Sequence, residues 1–334
     1  MIQNNKFLFI KTSASILALG FLLITNALAM QTYEDSSEEI VQGSPLSPKQ
    51  QLKQRAKKGE VQAQYDLGML YRKGVGDIII VKKPQKGIAW LEKAATQDHV
   101  ESQVEVARMY LDLDKDGIPQ NADKAIQNLT KAIKKNNPRA QNLLGACYRD
   151  GDVQGIAKND QEAVKWFRLA ADQGLAQAQD NLGDMYADGK GVPKDDQEAV
   201  KWYRLAAVQK YAPAQMTLGY RYYTGRGVKK DLKEAVAYTT LAAAQGHNTA
   251  CNNLGAFYQN GDGVPKSGKE AIKWFQVAAD KGNVTALENL GKLYREGVRG
   301  GMFSWDVKPD LTIARSWFEK AAAQGSVYAK GQLF

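Results

Sequence analysis

The sequence predicts an all-α protein, a right-handed α/α solenoid of about seven helix-turn-helix repeats with a capping helix at each end. Three observations lead to this prediction. A glycine position recurs seven times at nearly constant spacing, and a tyrosine always follows it by three residues. The small, leucine, glycine and tyrosine residues of each copy share one face of a helix. A glycine loop and a capping residue then introduce a second helix.

The first 29 residues have the pattern of a signal peptide. Lys6 and Lys11 supply a basic start, ILALGFLLI is an apolar core, and the Ala-Leu-Ala that ends at Ala29 is a small-x-small cleavage site. Cleavage after Ala29 predicts a periplasmic or secreted protein that keeps no integral membrane segment. The apolar run is short for a membrane span, and an uncleaved N-terminal anchor is the alternative interpretation.

Residues 30–46 are polar and acidic without hydrophobic periodicity, which predicts a disordered tether. Ser47 and Pro48 then have the pattern of an N-cap followed by proline at the first helical position. They predict a polar N-terminal capping helix at 47–58, followed by the repeat solenoid at 59–334.

The first helix of each repeat, helix A, is predicted from four positions. Small, leucine, glycine and tyrosine residues stand at offsets 0, 4, 5 and 8, which follow one face of an α-helix. The glycine position is occupied by Gly68, Ala107, Gly145, Gly183, Gly219, Gly255 and Gly291. Small residues there are expected to let a neighbouring helix approach closely.

The second helix of each repeat, helix B, is predicted to begin at a capping residue after a glycine loop such as GKGVPKD at 189–195. The predicted N-caps are Asn121, Asn159, Asp195, Asp231, Ser267 and Asp310. Four of them have a glutamate three residues later, which is the pattern of a capping box. The aromatic anchors of helix B are predicted to be Trp90, Trp166, Trp202, Tyr238, Trp274 and Trp317.

The distance from each helix B anchor to the next helix A glycine position is always 17 residues. Insertions therefore fall in the loops from helix A to helix B, on one edge of the solenoid. Counting 17 residues forward from Trp317 reaches Phe334, so 325–334 is predicted to be a partial last helix A.

The net charge of +9 is compatible with acidic partners. Basic and acidic residues alternate along the predicted helices, however, and no nucleic-acid-binding pattern is present, so no nucleic-acid partner is expected. Cys147 and Cys251 lie three repeats apart, beyond disulfide reach, and are predicted to be small buried apolar residues.

The sequence contains no pattern typical of a catalytic centre, and we expect neither enzymatic activity nor a cofactor or metal. His99 and His247 are interpreted as exposed residues of first helical turns. The LDLDKDG segment at 111–117 resembles the start of a calcium loop, but Asp123 stands where the bidentate glutamate belongs. A weak calcium site is therefore the alternative to a polar loop.

One repeat carries the complete pattern, at Gly174, Ala178, Leu182, Gly183, Tyr186, Gly189, Gly191, Val192, Asp195, Ala199, Trp202, Ala206 and Ala207. This pattern resembles the Sel-one-like repeat family, a tetratricopeptide-like α/α solenoid, over about residues 49–334. The resemblance implies an adaptor or scaffold for protein complexes. Exported bacterial members are similar to factors for host interaction, envelope assembly or peptidoglycan turnover. A cysteine-rich subgroup is linked to β-lactam hydrolysis, and this sequence lacks its cysteine pairs.

In tetratricopeptide-like arrays helix A lines the concave face, so positions −3, +1 and +4 from the helix A glycine are expected to face that groove. The fifth repeat combines methionine and two tyrosines there, which is suited to a peptide site. The candidate residues are Asn142, Arg149, Asp180, Asp184, Met216, Tyr220, Tyr223, Asn252 and Gln259. Packing of some of these side chains between repeats is the alternative.

The insertion GVRGGMFSWDVKPD of the last repeat holds Phe303 and Trp305, the one tryptophan outside helix B. It is interpreted either as a partner-binding loop or as a hydrophobic lid over the C-terminal edge. The insertion with isoleucines at 78–80 in the first repeat is open to the same two interpretations.

The sequence thus predicts a non-enzymatic exported scaffold that binds a protein or peptide partner on the concave face, in host interaction or envelope assembly. One alternative is a peptidoglycan- or glycan-binding accessory protein, in which groove tyrosines stack on sugars. The other is a β-lactamase-like hydrolase, which the missing cysteine pairs and catalytic residues disfavour.

Overall fold

The computed structural model describes residues 46–74, 82–111, 116–151, 155–301 and 304–333. The predicted signal peptide, nearly all of the predicted tether, the isoleucines at 78–80, and Phe303 lie outside these residues.

The described residues form sixteen helices and one β-hairpin, which confirms the predicted all-α repeat fold. The elements are α1 Pro48–Lys57, α2 Val61–Lys73, α3 Pro84–Thr96, α4 Val100–Tyr110, α5 Ala122–Lys134, α6 Pro138–Asp150, α7 Asp160–Asp172, α8 Ala176–Asp188, α9 Asp196–Val208, α10 Ala212–Thr224, α11 Leu232–Ala244, α12 Asn248–Asn260, α13 Gly268–Asp280, α14 Val284–Glu296, β1 Val298–Gly301, β2 Ser304–Val307, α15 Leu311–Ala323 and α16 Val327–Gly331. The even-numbered helices are helices A, and the odd-numbered helices are helices B. Each helix packs mainly on the helix before it and the helix after it.

The chain divides into two compact units, unit 1 at Met1–Ala157 and unit 2 at Lys158–Phe334. The described part of unit 1 contains α1 to α6, and unit 2 contains α7 to α16 with the hairpin. Both cores are layers of alanine and leucine from the facing sides of helices A and B.

A glycine notch in helix A holds each repeat together. A Cβ atom on Gly183 would lie 2.7 Å from the Tyr203 ring of α9, and one on Gly255 would lie 2.6 Å from the Phe275 ring of α13. The absence of a side chain at these glycines therefore lets helix B place a large residue directly on the backbone of helix A.

The side chain that fills the notch is the residue after the predicted anchor, so our assignment of the anchors was wrong by one position. The buried residues of helix B are Leu91, Leu129, Phe167, Tyr203, Thr239, Phe275 and Phe318, and none is more than 2% exposed. The tryptophans that precede five of them are only half-buried. The notch therefore holds the residue after the tryptophan, and the indole remains partly exposed.

All six predicted N-caps of helix B are confirmed. The backbone N–H of the cap donates to the carbonyl of the repeat tyrosine in helix A, at 3.0 Å from Asp195 to Tyr186 and 2.8 Å from Ser267 to Tyr258. Because the cap N–H already has this acceptor, the glutamate side chain is not needed there. Glu198 instead pairs with Lys201 at 2.7 Å.

The second glycine of the helix A to helix B loop fits against the preceding repeat. Gly191 has φ +70°, and a Cβ atom there would lie 2.2 Å from the Asp160 carbonyl oxygen of α7. Gly227 and Gly263 make the corresponding approach to the first residue of the preceding helix B. Both the positive φ and the backbone contact therefore require glycine.

A buried glutamine connects successive helices, and no sequence pattern had indicated it. Gln179 donates to the Ala171 carbonyl of α7 at 3.2 Å and accepts from Gln209 at 2.8 Å. Gln215 repeats the arrangement one repeat later, between the Ala207 carbonyl and Gln245. Each of these glutamines therefore links the C-terminal ends of two successive helices B.

The insertion of the last repeat forms the antiparallel hairpin of β1 and β2, which was predicted only as a loop. It packs on the N-terminus of α13, where Asp306 accepts from the backbone N–H groups of Gly268 and Lys269. A Cβ atom on Gly268 would lie 2.7 Å from the Val307 side chain, so glycine at this position permits docking of the hairpin.

The histidines and cysteines have structural roles. His99 and His247 are N-caps of α4 and α12, and their ring nitrogens accept from the backbone N–H groups three residues later. They were predicted to be exposed, but both are partly buried. Cys147 and Cys251 are free and buried, as predicted.

Gly183→Ala should destabilise the protein although alanine favours a helix by about 1 kcal/mol. Tyr203 is buried and hydrogen-bonded to Asp184, so its ring cannot move aside, and we expect a net loss of about 1 to 3 kcal/mol from overpacking. The urea midpoint, followed by circular dichroism, measures the change.

Gly331→Ala is the matched control, since Gly331 is also helical but a Cβ atom there would meet no neighbouring atom within 4 Å. It should be neutral or slightly stabilising. Equal urea midpoints for Gly183→Ala and the unaltered protein would contradict the glycine notch.

Candidate partner-binding surface

Seven of the predicted groove residues lie on one side of unit 2, which is formed by α8, α10, α12 and α14. Neighbouring helices A meet along this side. Tyr223 of α10 packs on Phe257 of α12 with ring centroids 5.4 Å apart, and Asn289 of α14 donates to Asn252 of α12 at 3.0 Å. We call the part of this side that carries Asp180, Asp184, Met216, Tyr220 and Tyr223 the A-face patch.

Two carboxylates one helical turn apart form one end of the A-face patch. The Oδ1 atom of Asp180 is buried and has no hydrogen-bond partner among the described residues. Burial, followed by the nearby charge of Asp184, raises the pKa of Asp180 to about 7. The two carboxylates also raise the pKa of Tyr211 at the start of α10, which burial raises most. This end of the patch therefore lacks a compensating positive charge at Asp180.

The Asp184 carboxylate is held by a side chain that crosses from helix B. The Tyr203 hydroxyl donates to Asp184 Oδ1 at 2.7 Å, and burial together with Asp184 raises the pKa of Tyr203. Arg221 of α10 lies over the Tyr203 ring at 5.5 Å and forms an ion pair with Asp196. Asp184 itself is exposed, so it is fixed in orientation and accessible from the surface.

The aromatic part of the patch contains one available ring. Tyr220 is 48% exposed, whereas Met216 is half-buried against the core. Tyr223 is fixed by Phe257, by its hydroxyl contact with Asp262 at 3.4 Å, and by Lys230 at 5.6 Å from its ring. The exposed side chains of the patch are therefore Tyr220 on α10 and Asp184 on α8, with Met216 and Tyr223 as its base.

The remaining groove candidates of unit 2 are in supporting positions. Asn252 accepts from Asn289, as described above, and Gln259 is half-buried on α12. Both lie on the same side as the A-face patch, and Asn252 has part of its hydrogen-bonding capacity already in use.

Unit 1 does not present its candidate residues in the same way. Asn142 is 6% exposed, too buried to line a groove as we expected, and Arg149 is half-buried and ion-paired with Asp150 at 2.7 Å. Burial between repeats, which was the alternative interpretation, therefore applies to Asn142.

A buried ion network occupies the corresponding side of α2, α4 and α6 and was not foreseen. Arg72, at the +4 position of the first repeat, is 5% exposed and pairs with Glu105 and with Asp116. Arg139 reaches the other oxygen of Glu105 at 2.6 Å. Buried charges persist when each has a partner, so this side of unit 1 is a packed interface.

The same network bears on the calcium hypothesis. Asp116 is engaged by Arg72 at 2.8 Å, which leaves it a poor cation ligand. The first two aspartates of the predicted loop lie outside the described residues. Among the residues that the structure describes, no group of three His, Cys, Asp or Glu side chains is placed to hold a metal ion.

Trp305 lies within the docked hairpin. Its ring packs over Gly297, where a Cβ atom would lie 2.7 Å away, and the Arg299 guanidinium lies 4.0 Å from its ring centroid. The hairpin covers the start of α13 rather than the C-terminal edge, so the predicted position of the lid was wrong. Half-buried and stacked by arginine, Trp305 is suited to holding the hairpin in place.

A second exposed feature lies on helices B of unit 2. Leucines occupy the position three residues after the predicted anchor in α7, α9 and α11, and Leu169, Leu205 and Leu241 are each 49–50% exposed. The last repeat has Lys320 at this position, and its ammonium lies 4.0 Å from the Trp317 ring. At this position the middle repeats therefore expose a leucine, whereas the last repeat has a lysine that packs on its tryptophan.

Tandem pairs of helices A and B, stacked in order along the chain, define an α-helical repeat protein. The chain belongs to the Sel1 repeat family, whose sequence profile matches residues 61–99, 100–137, 138–175, 176–210, 212–247, 248–283 and 284–326. This confirms the resemblance and the number of repeats. None of the described helices combines the length and hydrophobicity needed to span a bilayer.

Solved structures of Sel1 repeat proteins are similar to this chain. The Sel1 repeat protein of Oxalobacter formigenes is 27% identical over 99% of this chain and 94% of its own, with a TM-score of 0.66. A protective antigen of uropathogenic Escherichia coli with the same type of repeat is 29% identical over 85% of this chain and 66% of its own, with a TM-score of 0.43. No curated protein matches the chain in sequence.

Asp180→Asn should stabilise the protein increasingly as pH rises. The raised pKa of about 7 means that the native state retains a proton that the unfolded state loses near pH 4. The native state therefore loses stability between about pH 4 and pH 7, and asparagine removes this loss. We expect a gain of about 2 to 4 kcal/mol at pH 8 and little change near pH 4. Thermal unfolding across this pH range measures it.

Asp188→Asn is the control on the same helix, because Asp188 is exposed and lies 2.8 Å from Lys190. Its effect should not grow with pH. A parallel pH trend in both variants would contradict the assignment to Asp180.

Proposed function

We propose that this chain is a non-enzymatic protein-binding scaffold and that the A-face patch binds a peptide segment of a partner protein. The observation that carries the proposal is the buried Asp180 oxygen, which has no partner among the described residues and lies one helical turn from the exposed Asp184, in the patch that also exposes Tyr220. The segment that fits this chemistry has a lysine or arginine next to an apolar side chain.

The patch offers complementary contacts for both parts of such a segment. A guanidinium or ammonium placed between Asp180 and Asp184 gains charge-assisted hydrogen bonds, and Tyr203 already orients one of the carboxylates. An apolar side chain covers the Tyr220 ring and Met216, in the arrangement of an aromatic anchor with a polar rim. Tyr223, fixed from below, gives the patch a rigid base.

Binding of a cationic segment favours the charged form of Asp180. The bound cation lowers the pKa of Asp180, so that binding releases a proton near neutral pH. Affinity therefore rises between about pH 6 and pH 8, which distinguishes this site from a purely apolar groove.

We further propose that the protein acts outside the cytoplasm, in the periplasm or after secretion. The signal-peptide pattern of residues 1–29 supports this location. Host interaction or envelope assembly is the setting that we propose for the scaffold. Partner capture therefore uses the chain that begins at Met30, which is the form expected after signal-peptide cleavage.

Tyr220→Ala and Asp180→Asn should each remove the partner of the A-face patch. Both substitutions leave the repeat core intact, because Tyr220 is exposed and asparagine is nearly isosteric with aspartate. Quantitative mass spectrometry after capture by the unaltered and altered chains identifies proteins whose recovery falls at least about tenfold, a loss of about 1.4 kcal/mol. Overlapping peptides of those proteins then locate the bound segment.

Leu205→Ala is the control, since it removes an equally exposed apolar side chain from helix B. It should retain the same partners. Identical recovery by the Tyr220→Ala and unaltered chains, or bound peptides without lysine or arginine, would refute the proposal. Enrichment of muropeptides in place of proteins would favour a glycan-binding role.

A further inference from the structure

A second surface of unit 2 carries a different chemistry. A cavity of about 920 Å³ opens beside α9 and α11, and the loop at 225–231 borders it. Its lining includes Arg204, Tyr222, Lys229, Lys230 and Tyr238. We call this cavity the B groove, and we propose that it binds an acidic peptide segment.

Three cations of the B groove lack a carboxylate partner. Arg204, Lys229 and Lys230 form no salt bridge with any residue that the structure describes. Asp231 also lines the groove, but its carboxylate accepts from the backbone N–H groups of Lys233 and Glu234 as the N-cap of α11. Glu234 lines the groove as well, so three cations face two carboxylates and the groove retains a net charge of +1 for a ligand with carboxylates.

An ordered aromatic wall holds the first of these cations. The Tyr222 and Tyr238 rings stack with centroids 5.7 Å apart and an interplanar angle of 6°. The Arg204 guanidinium donates to the Tyr222 hydroxyl at 3.0 Å and lies 5.9 Å from that ring centroid. Because arginine has five N–H donors, this single bond leaves other donors available to a ligand.

Neighbouring repeats show which of these cations the repeat fold does not require. Lys229 stands in GRGVKKD where the fourth and sixth repeats have Pro193 and Pro265. Thr240 occupies the position of Arg204 one repeat later. Arg168 and Lys194 stand at the positions of Arg204 and Lys230 one repeat earlier, so Lys229 is the cation that is particular to the groove of the fifth repeat.

The size of the groove favours an extended segment over a single small anion. Its volume lies near the upper end of the roughly 300 to 1,000 Å³ that is typical of ligand sites. Gln197 and the backbone at Gly225 and Gly227 line it as well and can bond a peptide main chain. The tyrosine wall offers apolar surface between the charges. A peptide in which apolar residues separate aspartate or glutamate residues matches this arrangement of cations and tyrosine rings.

The double variant Arg204→Thr/Lys229→Pro tests the proposal, since both new residues occur at the same positions in neighbouring repeats and should preserve folding. A fluorescein-labelled glutamate-rich peptide is the probe, and fluorescence anisotropy gives the Kd. We expect the Kd to rise at least about tenfold in the double variant. It should also rise steeply as NaCl increases from about 0.05 to about 0.5 M, since the cations are exposed.

Lys266→Ala/Lys269→Ala is the matched control, which removes the same charge from exposed positions one repeat later. Its Kd should change less than about twofold. Equal weakening in both double variants would overturn the groove in favour of a diffuse basic surface. A labelled lysine-rich peptide that binds equally well, or displacement of the glutamate-rich peptide by equimolar inorganic phosphate, would also overturn it. Unchanged circular dichroism establishes that the variants are folded.

Discussion

The contact between a helix A glycine and the buried residue of helix B is the constraint on which the repeat depends. At Gly183 the Tyr203 ring occupies the space of the missing side chain, and the same geometry recurs at Gly255 and Gly291. Because the contact is between a ring and a backbone, it fixes the distance between the two helices. The N-cap of helix B then comes within hydrogen-bond distance of the helix A tyrosine carbonyl, which explains why a capping residue recurs at one position.

Contacts between repeats follow the same principle, since they also involve the backbone. Gly191 meets the Asp160 carbonyl, and Gln179 bonds the Ala171 carbonyl. These interactions restrict which residues can occupy the glycine and glutamine positions. They place almost no restriction on the outward-facing side chains. Such an array can vary its surface without disturbing its interfaces, as expected when stability is a sum of local repeat contacts.

The sequence predicts the parts of the fold that depend on local backbone chemistry. Helix A glycines, helix B caps and the number of repeats follow from period and turn residues, which act within a few positions. The burial of Phe275 rather than Trp274 could not be predicted, because it depends on the depth of a notch between two helices. The Arg72–Glu105 pair joins residues 33 positions apart, and no periodic pattern reports it. The hairpin depends on docking to Gly268, a residue of the preceding repeat.

The candidate site was predicted in part. The exposure of Tyr220, in contrast to the fixed Asp184 one repeat earlier, is explained by the size of the helix B residue that fills the notch. In the fourth repeat Tyr203 fills the notch and its hydroxyl reaches Asp184, the residue after the glycine. In the fifth repeat the notch holds the small Thr239, and the large aromatic residue is Tyr220, at the position equivalent to Asp184. Threonine is too short to cross to that side, so Tyr220 receives no partner from helix B and remains exposed. In the fifth repeat the large aromatic side chain is thus on helix A and exposed, whereas in the fourth repeat it is on helix B and buried.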